Sequence, residues 1–196
     1  MRTSFVKTLS VLLALCSSSV LGQDKDQTPG GAISFKPAQG QAFRLDLDTA
    51  EGAYSEWQHD DVSSFCALHT SVRIKRLRTD VRWVPTFSIW FADSDKRDQG
   101  KHLALQFRAT YRTPPLETRI LLWDSPTKTL EHTLKTTVKL DKPVPLEIVW
   151  LQHSILMNIG QESVRLPLDW EIRSIAVSAS TGEMKLEPLI LGCVEK

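Results

Sequence analysis

Acidic, aromatic and basic side chains are grouped in several short stretches of this chain, and each grouping suggests a different chemistry. "YSEWQHDD" brings Glu56, His59, Asp60 and Asp61 close together. Carboxylates beside an imidazole can exchange protons with a substrate or bind a metal; the competing reading is an ordinary polar loop. "FADSDKRDQG" sets Asp93, Asp95 and Asp98 on one loop, and calcium favours oxygen ligands of this kind. The spacing matches no closed calcium motif, and Lys96 and Arg97 offset part of the charge, so Asp93 and Asp95 stand only as a candidate calcium pair. No other cofactor is indicated. "DLDTAEG" opens like an EF-hand loop but lacks the third acidic ligand and the closing glutamate. Asp46 and Asp48 share one strand face, a placement that solvation alone explains. The five histidines are scattered without zinc-site spacing.

The aromatic residues are more suggestive. The chain has six tryptophans: Trp57, Trp83, Trp90, Trp123, Trp150 and Trp170. An indole ring covers the apolar face of a sugar by the same dispersion and burial that make tryptophan an interface anchor. Trp90 lies on the strand face opposite Phe87, Ile89 and Phe91. Trp123 ends a strand beside Asp124, and Trp57 sits in the acidic stretch. These three are the candidate ligand-binding residues, and core packing is the alternative for each. Trp150 keeps phase with Leu146 and Ile148 and belongs to the core.

The elements that must position these residues are strands. "AFRLDLDT", Cys66 to Lys75, "TFSIWFAD" and "HLALQFRATY" alternate apolar and polar residues with period two. "ETRILLWDS" is apolar on both faces, as in a covered strand. Leu130 to Leu140 keeps strict alternation, and "PLEIVWLQ" places Leu146, Ile148 and Trp150 on one side. A hairpin "ILMNIGQESVRLPLD" follows, then "IRSIAVSAS", a turn at Thr181 and Gly182, and "EMKLEPLILG". Ten or so strands with short connections and almost no helical period predict an all-β, two-sheet antiparallel sandwich. Pro143, Pro145, Pro167 and Pro188 fit strand starts, edges or bulges.

The opening residues 1–22 carry Arg2 and Lys7, an apolar run from Val11 to Leu15 and a small-residue tail ending at Gly22, the pattern of a cleaved secretory leader. The run is too short to span a bilayer, and Leu15 before Cys16 opposes a lipid anchor. Residues 23–31 read as a disordered tether and 32–196 as one β-sandwich domain; about 174 residues after the leader can bury a single core. With 24 Lys plus Arg against 23 Asp plus Glu, no field argues for a nucleic-acid partner. Two cysteines remain after export. An oxidising compartment predicts a disulfide between Cys66 and Cys193, whose parities place both on apolar strand faces; two separate buried thiols are the alternative.

The order "PLEIVWLQHSILMNIGQESVRL…IRSIAVSASTGEMKLEPLILG" resembles the closing strands of concanavalin-like and laminin-G-like jelly rolls. There a strand ending in Trp leads into a hairpin, and the final strand returns beside the first. In this chain Asn158, Ile159 and Gly160 fill the hairpin turn region. The resemblance implies a jelly-roll sandwich, with the last strand placed to accept a bridge from Cys66. Glycoside hydrolases of that fold carry Glu-x-Asp-x-x-Glu on one strand, and no such triplet stands here. Laminin-G-like domains hold sulfated glycans on basic patches, which draws attention to "RIKRLRTDVR" with Arg73, Lys75, Arg76, Arg78 and Arg82. Arg76 and Arg78 join the face of Arg73 and Lys75 only if the strand bulges near Leu77; otherwise the run is a solvated, edge-protecting face. The expected function is a secreted, non-catalytic sandwich that binds carbohydrate or an envelope surface. Its rival is a carbohydrate-active hydrolase or lyase.

Overall fold

The computed structural model describes residues 35–62, 64–78, 83–94, 100–110, 113–151 and 153–194, with the backbone alone for 35–41 and 193–194. The leader, the tether, Asp95 and Arg82 lie outside these residues. Ten strands follow in chain order: β1 (Phe35–Asp60), β2 (Ala67–Leu77), β3 (Thr86–Ala92), β4 (Lys101–Ala109), β5 (Leu116–Asp124), β6 (Thr127–Val138), β7 (Val144–Leu151), β8 (Ser154–Ile159), β9 (Glu162–Pro167) and β10 (Ser174–Val194). Every pairing is antiparallel. No helix among the described residues is long and apolar enough to cross a membrane.

Two long strands organise the rest. The first part of β10, Ser174–Ser180, lies between β3 and the end of β1, Tyr54–Asp60. Its second part, from Gly182 onward, lies between β2 and the start of β1. Both strands therefore run from one sheet into the other. The first sheet has the order β6-β5-β4-β3-β10-β1, and the second has the order β9-β8-β7-β2-β10-β1. Phe87, Ile89, Phe91, Leu103, Leu105 and Phe107 from the first sheet are fully buried against Leu68, Val72, Ile74, Leu146 and Ile148 from the second. Each such side chain contributes about 1.5–3 kcal/mol relative to exposure.

Side chains close the sandwich at both margins. On the β1 margin Phe43 meets Trp57 with ring centroids 5.3 Å apart, because β1 folds back between them. On the opposite margin the Glu162 carboxylate accepts the Thr136 backbone N–H and hydroxyl, both at 2.9 Å, tying β9 to β6.

Four local expectations change. Thr181 and Gly182 do not separate two strands: β10 is continuous and bends there, with Thr181 at φ +57°. A Cβ on Gly182 would stand 2.6 Å from the Arg76 carbonyl oxygen and 2.7 Å from the Phe87 ring, so only glycine fits the bend. The β8–β9 turn is Gly160–Gln161, because Asn158 pairs with Ser163 and Ile159 with Glu162; Gly160 takes φ +62°. "YSEWQHDD" is strand as far as Asp60. Finally, β2 is interior, between β10 and β7, so its basic residues protect no edge. The bulge does occur, at Lys75: Ile74 pairs with Met184 and Arg76 with Glu183.

The predicted neighbour relation of the cysteines holds for the backbone. The Cys66 N–H donates to the Gly192 carbonyl at 2.9 Å, one step beyond the Ala67–Gly192 pair and hence beside Cys193. The Cys193 side chain lies outside the described residues.

Candidate functional site

Alternation along β3, β4 and β5 sends one set of side chains into the core and the other to the outer face of the first sheet. Cross-strand register then lines up that outer face. One row runs Gln58, Ala176, Trp90, Ala104, Leu121, Glu131, and the next runs Asp60, Ser174, Ala92, His102, Trp123, Lys128. Trp90 and Trp123 flank His102, with centroids 5.5 Å and 5.8 Å from the imidazole, and the His102 and Trp123 rings are nearly parallel at 15°. The Trp90 indole N–H donates to the Ser178 hydroxyl at 2.9 Å, which fixes the ring over the small residues beside it. Ala104, directly between Trp90 and Leu121, is 0% exposed although it points away from the core. The face therefore has a floor of small side chains with larger, partly exposed aromatic rings standing over it.

Charged groups flank this aromatic strip. The Arg119 guanidinium donates to Glu117 from Nε at 3.1 Å and Nη2 at 2.6 Å, and to Glu131 from Nη1 at 2.9 Å. Lys128 also donates to Glu131. The hydrogen bond from Arg119 holds the Glu117 carboxyl below the usual carboxylate range; Lys128, more than Arg119, does the same for Glu131. Both carboxylates are therefore ionised hydrogen-bond acceptors at neutral pH, held in place by a planar fork. Gln106 and the exposed Arg108 stand on the same face of β4.

The other predicted residues fall elsewhere. Trp57 pairs with Val177 on the inner face and stacks on His59 at 6.0 Å and 8°, away from Trp90 and Trp123. Strand alternation splits the acidic stretch in the same way: Glu56 and Asp60 point outward, hydrogen-bonded to Tyr54 and Gln58, while His59 points inward towards Phe65. The geometry does not bring Glu56 and His59 to a common point. Asp93 begins the β3–β4 connection, donates its backbone N–H to the Lys101 carbonyl at 3.0 Å and packs its carboxylate against Gly100. Among the described residues no three His, Cys, Asp or Glu side chains converge to hold an ion.

One feature escapes the sequence reading. At the end of the sandwich a cleft of about 850 Å³ is lined by Phe65, Trp150, Leu168, Trp170 and Ile172, together with Cys66, Asp60, Asp61, Glu171 and Arg173. Its floor is Trp150, packed on Phe91 at 5.8 Å. The segment carrying Trp170 is tethered by the Lys101–Asp169 ion pair at 2.6 Å. The available signal was the alternation of Leu168, Trp170 and Ile172 between two strands, which reads equally well as plain connection.

No protein-family model matches the chain, and no curated protein matches it. Among solved structures, the galectin LEC-6 of Caenorhabditis elegans is similar with a TM-score of 0.51 at 9% identity, over 75% of this chain and 95% of that one. A structure described under endo-acting O-glycanases of the human gut microbiota gives 0.52 at 12% identity, over 85% and 86%. At such identities the likeness concerns the fold. With the strand order above, it identifies this chain as a jelly-roll β-sandwich of the concanavalin-like type.

Proposed function

We propose that this chain is an exported, non-catalytic carbohydrate-binding sandwich whose ligand lies across the outer face of the first sheet. The observation that carries the reading is the Trp90–His102–Trp123 row on a face otherwise furnished with ordered polar groups. Partly exposed indole rings supply stacking surface for pyranose or furanose rings, while Gln106, Arg108 and the Arg119–Glu117–Glu131 network supply hydrogen bonds to hydroxyls. The glycan-directed activity named for the O-glycanase structure agrees with this use of the fold. Hydrolysis would require a carboxylic acid protonated near neutral pH, and the two carboxyls beside the aromatic strip are biased the other way, which favours binding over cleavage.

A second locus is the end cleft, favoured by its size and by Trp170. Affinity electrophoresis against neutral glucans, galactans, mannans and fructans tests both loci. The expected result is retardation by at least one polysaccharide, weakened about tenfold in Trp90→Ala and Trp123→Ala, a loss near 1.4 kcal/mol, and unchanged in Trp170→Ala. Loss confined to Trp170→Ala would move the site to the cleft. Retardation by none, or by all variants equally, would remove the proposal. Running each gel with calcium and with chelator tests the Asp93 and Asp95 pair.

A further inference from the structure

The outer face of the second sheet carries a pocket that the glycan reading does not use. Asp46 on β1, Lys185 on β10 and Arg73 on β2 form one cross-strand row. Two irregularities in the ladder border it: β2 has its extra residue at Lys75, and β10 has one just after Leu186, facing Arg44 of β1 on one side and Ser71 of β2 on the other. A bulge rotates its residue out of the regular alternation and re-aims the side chain. The result is convergence: Arg44, Arg73, Lys75 and Lys185 line one pocket of about 240 Å³ with Ser71 and Glu187.

Four cations face four carboxylates here, but they are held at unequal distances. Asp46 serves both Lys185, at 2.8 Å, and Arg44, at 3.4 Å. Asp141 serves both Lys75 and Arg73, the latter at 3.9 Å. Arg44 reaches Glu187 only at 3.6 Å, and Lys185 reaches Glu183 at 3.4 Å. Arg44 and Arg73 are therefore the loosely held cations, with side chains 53% and 45% exposed. Exposed pairs of this length contribute little, so an incoming oxyanion displaces them easily and gains the fork of each guanidinium.

We propose that this pocket binds a single sulfate or phosphate group, as an ester substituent on a larger ligand. Interleaved Asp46, Asp141 and Glu187 break the positive field into a point, which suits one anionic substituent and opposes a flat anionic membrane. The test is an NMR titration of the protein with sodium sulfate and, separately, sodium phosphate, against sodium chloride at matched ionic strength. We expect saturable low-millimolar shifts at the Arg44 and Arg73 Nε–H groups and the neighbouring amides, absent with chloride. The Arg44→Gln/Arg73→Gln double variant should bind at least tenfold more weakly while its remaining amide spectrum is unchanged. Saturation by sulfate alone assigns a sulfate ester, and by phosphate alone a phosphate ester. Shifts that match those with chloride, fail to saturate or persist in the double variant overturn the proposal.

Discussion

Replacing Gly182 by alanine tests whether the bend in β10 is the feature that joins the sheets. The added methyl would lie 2.6 Å from the Arg76 carbonyl oxygen and 2.7 Å from Cζ of Phe87. Neither neighbour can yield cheaply: the carbonyl is part of the β2 backbone paired across the bend, and Phe87 is fully buried. Overpacking of this kind costs about 1–3 kcal/mol, and a backbone clash puts Gly182→Ala at the top, about 3 kcal/mol. Gly160→Ala is the internal control. Gly160 has φ +62°, but its Cβ would meet Thr136 and Val144 at 3.6 and 3.8 Å, ordinary contacts, so only the left-handed backbone is penalised, by about 1 kcal/mol. Equilibrium urea unfolding measures both, with an unchanged m-value showing that the folded state remains compact. If Gly182→Ala costs no more than Gly160→Ala, the two halves of β10 behave as independent strands joined by a tolerant turn, and the reasoning fails.

Three further outcomes follow from named contacts. Burial opposes ionisation of Glu162, yet the hydrogen bonds from Thr136 and Lys135 win and hold its carboxyl below the usual value of 4.5. The stability this group contributes is therefore complete above about pH 4.5 and lost as pH falls through the lower folded value. Glu162→Gln should destabilise by about 1–2 kcal/mol at pH 7, with the difference from the parent shrinking below pH 4, as read by urea titration. Among the described residues the Trp123 indole N–H is buried without a hydrogen-bond partner. Removing that unsatisfied donor offsets the lost volume, so Trp123→Phe should be within about 0.5 kcal/mol of the parent while Trp123→Ala costs about 2 kcal/mol or more; equal losses in thermal unfolding would refute the assignment. We propose the Cys66–Cys193 disulfide from the adjacent backbones: intact mass of unreduced protein should be lower by two hydrogens, and reduction should cost about 5 kcal/mol in the chain-entropy model.

Much of this molecule was legible because period-two alternation is a local property. Phe87, Ile89 and Phe91 read as core and Trp90 as outward-facing from β3 alone, and Trp150 read as core from its phase with Leu146 and Ile148. The same alternation already implied that Trp57 and His59 share one face and Glu56 and Asp60 the other, once the stretch was known to be strand. It read as loop because its polar residues outnumber its apolar ones and it belongs to an outer strand, wet on one face. Thr181–Gly182 was misplaced for a related reason. A positive φ beside a glycine marks a chain reversal and a sharp bend equally well, and only the partners on either side tell them apart.

Strand identity, facing and the jelly-roll class were thus set by short-range pattern, since side-chain direction along a strand depends on the backbone of that strand alone. Neighbours were not. The row that brings Trp90, His102 and Trp123 together, the sharing of β1 and β10 by both sheets, the end cleft beneath Trp170 and the convergence of Arg44, Arg73, Lys75 and Lys185 all depend on register between strands distant in sequence. Register is decided by bulges and by the packing of two whole sheets, so no window of the sequence contains it.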